Sequence, residues 1–176
     1  MRAQIDIGVA ALASGITQVL TLQPCNGSGT HVNLTWLGYQ TGTQYGHDGC
    51  CADASSHHAS AHDDGKAKLD IDTWFFLQVA YLIDKLKAQP EGPGSLFDSS
   101  VVLVPNNMDR GNNHKVRDMP WLLAGNAGGY FATGRALAAN NATTCQLFTS
   151  ICGAFGVSPT GFVDPAYGGE LPGLRA

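Results

Sequence analysis

One long apolar segment constrains the fold of this chain more than any other feature. Residues 70–89 read DIDTWFFLQVAYLIDKLKAQ, and the run from Trp74 to Ile83 is apolar on nearly every side of a helix. Asp72 or Thr73 can cap the start of such a helix. A helix that is apolar all round has to be buried. The segment therefore predicts a central helix that other parts of the chain cover.

Two further helices are predicted at the two ends of the chain. Residues 3–14 are rich in alanine and are followed by Gly15, a typical residue at the end of a helix. A last helix is predicted from Thr143 or Thr144 to Phe155.

Three short apolar runs predict β-strands, at residues 16–23, 101–104 and 121–124. Continuous apolar strands that alternate with helices are typical of a parallel sheet. We therefore expect residues 1–176 to form a single, loop-rich α/β domain with a mostly parallel sheet and flanking helices.

Composition excludes two classes of partner and leaves the cysteines open. The formal charge is −4, the 10 Lys and Arg residues are scattered, and no apolar run approaches ~18 residues. We expect neither nucleic acid nor a membrane as a partner. The five cysteines show no CxxC spacing. A disulfide from Cys25 to Cys50 or Cys51 stays open if the protein is exported.

Metal-ligand residue types are concentrated between residues 53 and 64. This stretch holds three of the six histidines and three aspartates, separated by small residues. Imidazoles and carboxylates are the usual protein ligands of divalent metals. Asp53, His57 and His58 are the first candidates, while His62 would share a face with His58 only in a helix. The alternative interpretation is a solvated histidine-rich loop.

A second polar segment follows the predicted strand at residues 101–104. In open α/β sheets, ligands bind in loops that leave the carboxyl ends of strands. Asp109 and His114 in this loop could complete a mixed nitrogen and oxygen metal site, although such residues also form ordinary turns. Arg110 and Arg135 could hold an oxyanion such as phosphate or sulfate, or could be surface residues.

Several motifs resemble an uncharacterised bacterial protein family named for its His-x-x-Ser-His-His motif. The resemblance begins at Asp53-Ala-Ser-Ser-His-His58, where Asp53 replaces the first histidine of the motif but is still a potential ligand. It continues through Tyr81-Leu-Ile-Asp-Lys-Leu-Lys87 and Gly94-Ser-Leu-Phe-Asp98. Further matching segments are Met119-Pro-Trp-Leu-Leu-Ala-Gly125 and Gly128-Gly-Tyr-Phe-Ala-Thr-Gly-Arg135.

This resemblance implies an alkaline-phosphatase-like fold, related to phosphatases and sulfatases that use one or two metals. It also implies that the chain corresponds to the carboxyl-terminal part of longer proteins. The expected activity is metal-dependent hydrolysis of a phosphate or sulfate ester, on a small molecule or a polysaccharide. The divalent metal would be Zn, Mn, Ca or Fe, held by Asp53, His57, His58, Asp109 and His114. Arg110 and His114 would serve catalysis.

Two alternatives to a hydrolase stay open on the sequence alone. One is a non-catalytic metal-binding or assembly module derived from the same superfamily, and the other is a metal-dependent oxidoreductase. We expect a periplasmic or extracellular location, with any export signal upstream of Met1.

Overall fold

The computed structural model describes residues 1–24, 35–38, 60–61, 65–111, 114–158, 164 and 167–176. The chain divides into two compact units. The first comprises Met1–Leu86 with Pro105–Pro120, and the second comprises Lys87–Val104 with Trp121–Ala176.

The described part of the first unit includes two long α-helices and a short 3-10 helix at Thr35–Leu37. Helix α1 spans Arg2–Ala13. Gly15 follows it with a φ of +72° and donates its N–H to the carbonyl oxygen of Leu12 at 3.0 Å. Glycine adopts this left-handed conformation without steric cost, so it ends the helix. The amino-terminal helix predicted from the sequence is confirmed.

Helix α2 spans Gly65–Lys87 and confirms the long helix predicted from the apolar segment. Ile71 and Leu86 are buried on it, as Ile5 and Val9 are on α1. The prediction that α2 is covered on every side is wrong, because Phe76 and Leu77 are 51% and 56% exposed.

A polar cluster connects α1 to α2. Asp6 accepts a hydrogen bond from the Tyr81 hydroxyl at 2.8 Å and forms an ion pair with Lys85 at 3.1 Å. The guanidinium of Arg2 lies 4.8 Å from the centre of the Tyr81 ring. Charge, hydrogen bonding and a cation–π contact therefore act together between the two helices.

The strand predicted at residues 16–23 is wrong. The structure shows no strand there, and Ile16 and Val19 are 82% and 77% exposed. A β-branched run favours a strand only where a neighbouring strand pairs with it.

The second unit begins with a tight hairpin after α2. Strands β1 (Pro90–Glu91) and β2 (Gly94–Ser95) are antiparallel and lead into the short helix α3 (Leu96–Ser99). The Asp98 carboxylate accepts hydrogen bonds from the Ser95 hydroxyl and backbone N–H at 2.7 and 2.8 Å. These bonds, chiefly that of the hydroxyl, lower the pKa of Asp98.

The alkaline-phosphatase-like fold with a mostly parallel sheet is wrong. Strands β3 (Val102–Val104) and β4 (Leu122–Ala124) confirm two of the predicted strands, but they pair antiparallel with each other. Within the described residues, the sheets are two antiparallel pairs of strands. All three residues of β3 are half-buried, whereas a central parallel strand is covered on both faces.

Helix α4 (Thr144–Ala154) confirms the predicted last helix and anchors the tail of the second unit. The Thr143 hydroxyl caps it by accepting the N–H of Gln146. Ser150 is 1% exposed, donates to the Gln146 carbonyl oxygen at 3.0 Å and accepts the N–H of Leu171 at 2.8 Å. A buried hydroxyl with both partners thus holds the tail against α4.

Tyr130 makes a second connection to the tail. Its hydroxyl donates a hydrogen bond to Glu170 at 2.5 Å, and Arg175 stacks on its ring at 4.6 Å. This hydrogen bond is the main cause that raises the pKa of Tyr130.

Among the helices that the structure describes, none has the length and apolarity needed to cross a membrane.

Replacing Asp6 with Asn should remove a stabilisation of the first unit that is present near neutral pH and is lost at acidic and alkaline pH. Hydrogen bonds from Tyr81 and Lys85 hold the pKa of Asp6 below its usual 3.8. Hydrogen bonds with Tyr81 and Asp6 raise the pKa of Lys85 above 10.5. The contribution of Asp6 to the free energy of unfolding is complete above pH 3.8 and is lost as the pH falls through the lowered pKa. The Lys85 contribution is complete below 10.5 and is lost as the pH rises through the raised pKa.

Thermal melts of the wild type and Asp6→Asn across this range check the prediction. The wild type should melt at a higher temperature near neutral pH, and the difference should shrink at both extremes. Asp84→Asn, an exposed change on α2 between Tyr81 and Lys85, is the control and should show no such profile. A difference between wild type and Asp6→Asn that does not vary with pH would contradict this account.

Candidate functional site

A backbone hydrogen bond closes the loop at residues 105–120 at a point next to two predicted site residues. The backbone N–H of Asp109 donates a hydrogen bond to the carbonyl oxygen of Lys115 at 3.0 Å. His114 is the neighbour of Lys115 in the sequence, so this bond places Asp109 and His114 on the two arms of the closed loop. The Asp109 carboxylate also accepts the backbone N–H of Arg110.

Two residues of this loop adopt a backbone conformation that side chains disfavour. His114 and Asp118 have φ angles of +53° and +52°, in the left-handed region. Non-glycine residues in this region cost roughly 1 kcal/mol, and such strain is concentrated at functional sites. One of these two residues, His114, is a predicted metal ligand.

A glycine lets this loop lie directly against the segment that follows the histidine cluster. A methyl group placed on Gly111 would overlap the carbonyl oxygen of Ala61 and lie 2.7 Å from the Ala61 Cβ. Ser60, beside Ala61, is only 2% exposed. Residues 60–61 and the loop at 105–120 are therefore in backbone contact, although fifty residues separate Ala61 from Gly111 in the chain.

The first predicted ligands lie outside the described residues. These are Asp53, His57 and His58; His62 is likewise outside. In the sequence, His58 precedes Ala61 by three residues and His62 follows it directly. The described contact between Ala61 and Gly111 thus lies three residues from His58 and two residues from Asp109 in the sequence.

Three of the predicted site residues are described in this loop, and they carry a carboxylate, a guanidinium and an imidazole. Asp109 is half-buried, whereas Arg110 and His114 are exposed to solvent. Within the described residues, no group of three or more His, Cys, Asp or Glu side chains could hold a metal ion.

Arg135, the second arginine proposed for an oxyanion, has a structural role. Its Nε donates to the carbonyl oxygen of Ala132 at 2.9 Å, and its Nη2 donates to that of Gly173. These bonds attach the carboxyl-terminal tail to the segment after Phe131 and use donors that an anion would need.

Sequence reasoning missed a second feature, a cavity in the first unit. It has a volume of about 470 Å³, and its lining includes Trp36, Trp74 and Phe75. In the sequence, Trp36 lies in the short apolar stretch at residues 34–37 of a mostly polar region, which is a weak signal of such a site.

Comparisons of the chain with protein-family models, with curated proteins and with solved structures found no match. The family resemblance inferred from the motifs therefore stays a prediction.

Replacing Gly111 with Ala should destabilise the first unit by about 1–3 kcal/mol, the usual result of overpacking. The φ of Gly111 lies outside the left-handed region, so alanine brings no backbone strain and the effect reports the contact with Ala61. Urea unfolding measures it, together with the amide chemical shift of Ala61, which should move. Val116→Ala is the control, because Val116 lies in the same loop and is 75% exposed. Unchanged stability with an unchanged Ala61 shift would refute the contact.

Proposed function

We propose that this chain binds a divalent metal ion and hydrolyses a phosphate or sulfate ester with it. The ligands would be Asp109 and His114 from the loop and Asp53, His57 and His58 from the histidine cluster. The observation that supports the proposal is the backbone contact between Gly111 and Ala61. It joins the neighbours of two ligand-rich segments that are far apart in the sequence.

The residues at the loop suit the early steps of ester hydrolysis. A bound divalent metal would polarise the ester oxygen and lower the pKa of a water molecule. Asp109 and His114 offer the mixed oxygen and nitrogen ligands that Zn, Mn and Fe accept. The exposed guanidinium of Arg110 can approach a phosphate or sulfate group and neutralise the charge that develops on it.

Closure of the loop supports the positioning of these groups. The hydrogen bond between Asp109 and Lys115 fixes the separation of the two arms of the loop, and the left-handed His114 sets the direction in which the chain leaves the turn. Ligands held by the backbone in this way lose less conformational entropy when they bind a cation.

A second candidate function is a non-catalytic metal-binding or assembly module. The observation in its favour is an exposed apolar face on α2. Leu69, Phe76 and Leu77 are 51–63% exposed and lie on one side of the helix, since seven or eight residues make two turns. Exposed apolar patches of this kind mark protein interaction sites.

Metal content and ester turnover, measured on the same preparations, test the proposal. After mild dialysis, the wild type should retain about one divalent metal per chain. The variant His57→Ala/His58→Ala and the variant Asp109→Asn/His114→Ala should each lose it. His31→Ala/His47→Ala is the matched control and should retain the metal, because these histidines lie outside both segments.

Turnover of p-nitrophenyl phosphate and p-nitrophenyl sulfate separates the two candidates. If the chain is a hydrolase, it should hydrolyse one of these two esters. Chelation of the metal, or either ligand variant, should slow this hydrolysis at least about 100-fold. Metal retention without turnover would favour the assembly module. The absence of stoichiometric metal from the wild type would refute both metal-binding candidates.

A further inference from the structure

The described part of the first unit contains a cavity at the amino-terminal end of α1 and the middle of α2. Its volume of about 470 Å³ falls within the range of small-molecule binding sites. The start of α1, the segment after it and the first half of α2 contribute to its walls. Its lining includes Gln4, Thr21, Gln23, Trp36, Trp74 and Phe75.

Aromatic rings form one wall of the cavity. The rings of Trp36 and Trp74 meet edge to face, with centres 5.6 Å apart and planes at 64°. Phe75 meets Trp74 in the same way at 5.0 Å. Because Trp36 is 60% exposed, most of its indole surface is not used in core packing. The cavity therefore presents an aromatic surface to whatever enters it.

Amides and a hydroxyl supply the polar groups of the cavity. The side chains of Gln4, Gln23 and Thr21 can each donate and accept hydrogen bonds. Among the described residues that line the cavity, no side chain carries a formal charge. An ionic ligand would find no charged side chain among them to replace its hydration. An entirely apolar ligand would leave the amides without partners.

We infer that this cavity binds the neutral sugar rings of a saccharide. One face of a pyranose ring carries C–H groups, which pack on an indole, while its hydroxyls both donate and accept hydrogen bonds. The aromatic wall and the glutamine amides complement these two parts of the ring. The inference is independent of the proposed hydrolase activity, because none of the described residues that line the cavity is a proposed metal ligand and no metal is needed.

Isothermal calorimetry on the full chain in EDTA, with maltotriose, cellotriose and chitotriose as probes, tests the inference. At least one of the three should bind saturably, with a Kd of about 1 mM or below. Trp36→Ala should weaken binding at least about tenfold, and Trp36→Phe, which keeps a smaller ring, should weaken it less. Gln23→Ala should also weaken binding.

Phe76→Ala is the matched control, since it removes an exposed ring from the same helix as Trp74 without altering the cavity lining. Its affinity should stay within about twofold of the wild type. Circular dichroism establishes that the variants are folded. Failure of all three trisaccharides to saturate at about 10 mM would overturn the inference. Unchanged affinity in both folded variants, Trp36→Ala and Gln23→Ala, would overturn it too, as would saturable binding of the amphiphilic anionic dye ANS with no saturable binding of any trisaccharide.

Discussion

The close approach of Gly111 to Ala61 is the interaction on which this account depends. A residue with any side chain at position 111 would push the loop at 105–120 away from residues 60–61. Because glycine has only a hydrogen there, two polar segments come together that the sequence separates by fifty residues. The hydrogen bond between Asp109 and Lys115 then closes the loop, so that Asp109 and His114 lie beside this contact. The candidate metal chemistry and the strain at His114 both belong to this region.

Besides this loop, the first unit has two other groups of contacting side chains, one ionic and one aromatic. A hydrogen bond and an ion pair on the surface, which join Asp6 to Tyr81 and Lys85, connect α1 to α2. Trp36 and Trp74 instead provide an aromatic wall beside neutral polar side chains. The described side chains that line the cavity carry no formal charge, whereas the loop carries Asp109, Arg110 and His114. The two candidate sites are suited to different ligands, a cation with an anionic ester in one case and an uncharged sugar in the other.

Local patterns in the sequence predicted the helices well and the sheet poorly. The apolar run of α2, the capping Thr143 of α4 and the terminating Gly15 of α1 act within a few residues, so their effects can be read from the chain. The partner of a strand is set by distant residues. Val102–Val104 has the composition of a buried parallel strand but pairs antiparallel with Leu122–Ala124. At the site, the types of the ligand residues were visible in the sequence. The role of Gly111 was not, because a glycine shows what it contacts only in the folded chain.

Whether one ion lies close to both segments is the central question, and paramagnetic broadening by Mn²⁺ addresses it directly. Amide spectra of the labelled wild-type chain would be recorded during addition of substoichiometric Mn²⁺. We expect the signals of Ala61 and Gly111 to lose intensity together at the first additions, and to recover when Zn²⁺ displaces the Mn²⁺. Broadening confined to one of the two segments, or spread evenly over the whole spectrum, would contradict a shared metal site.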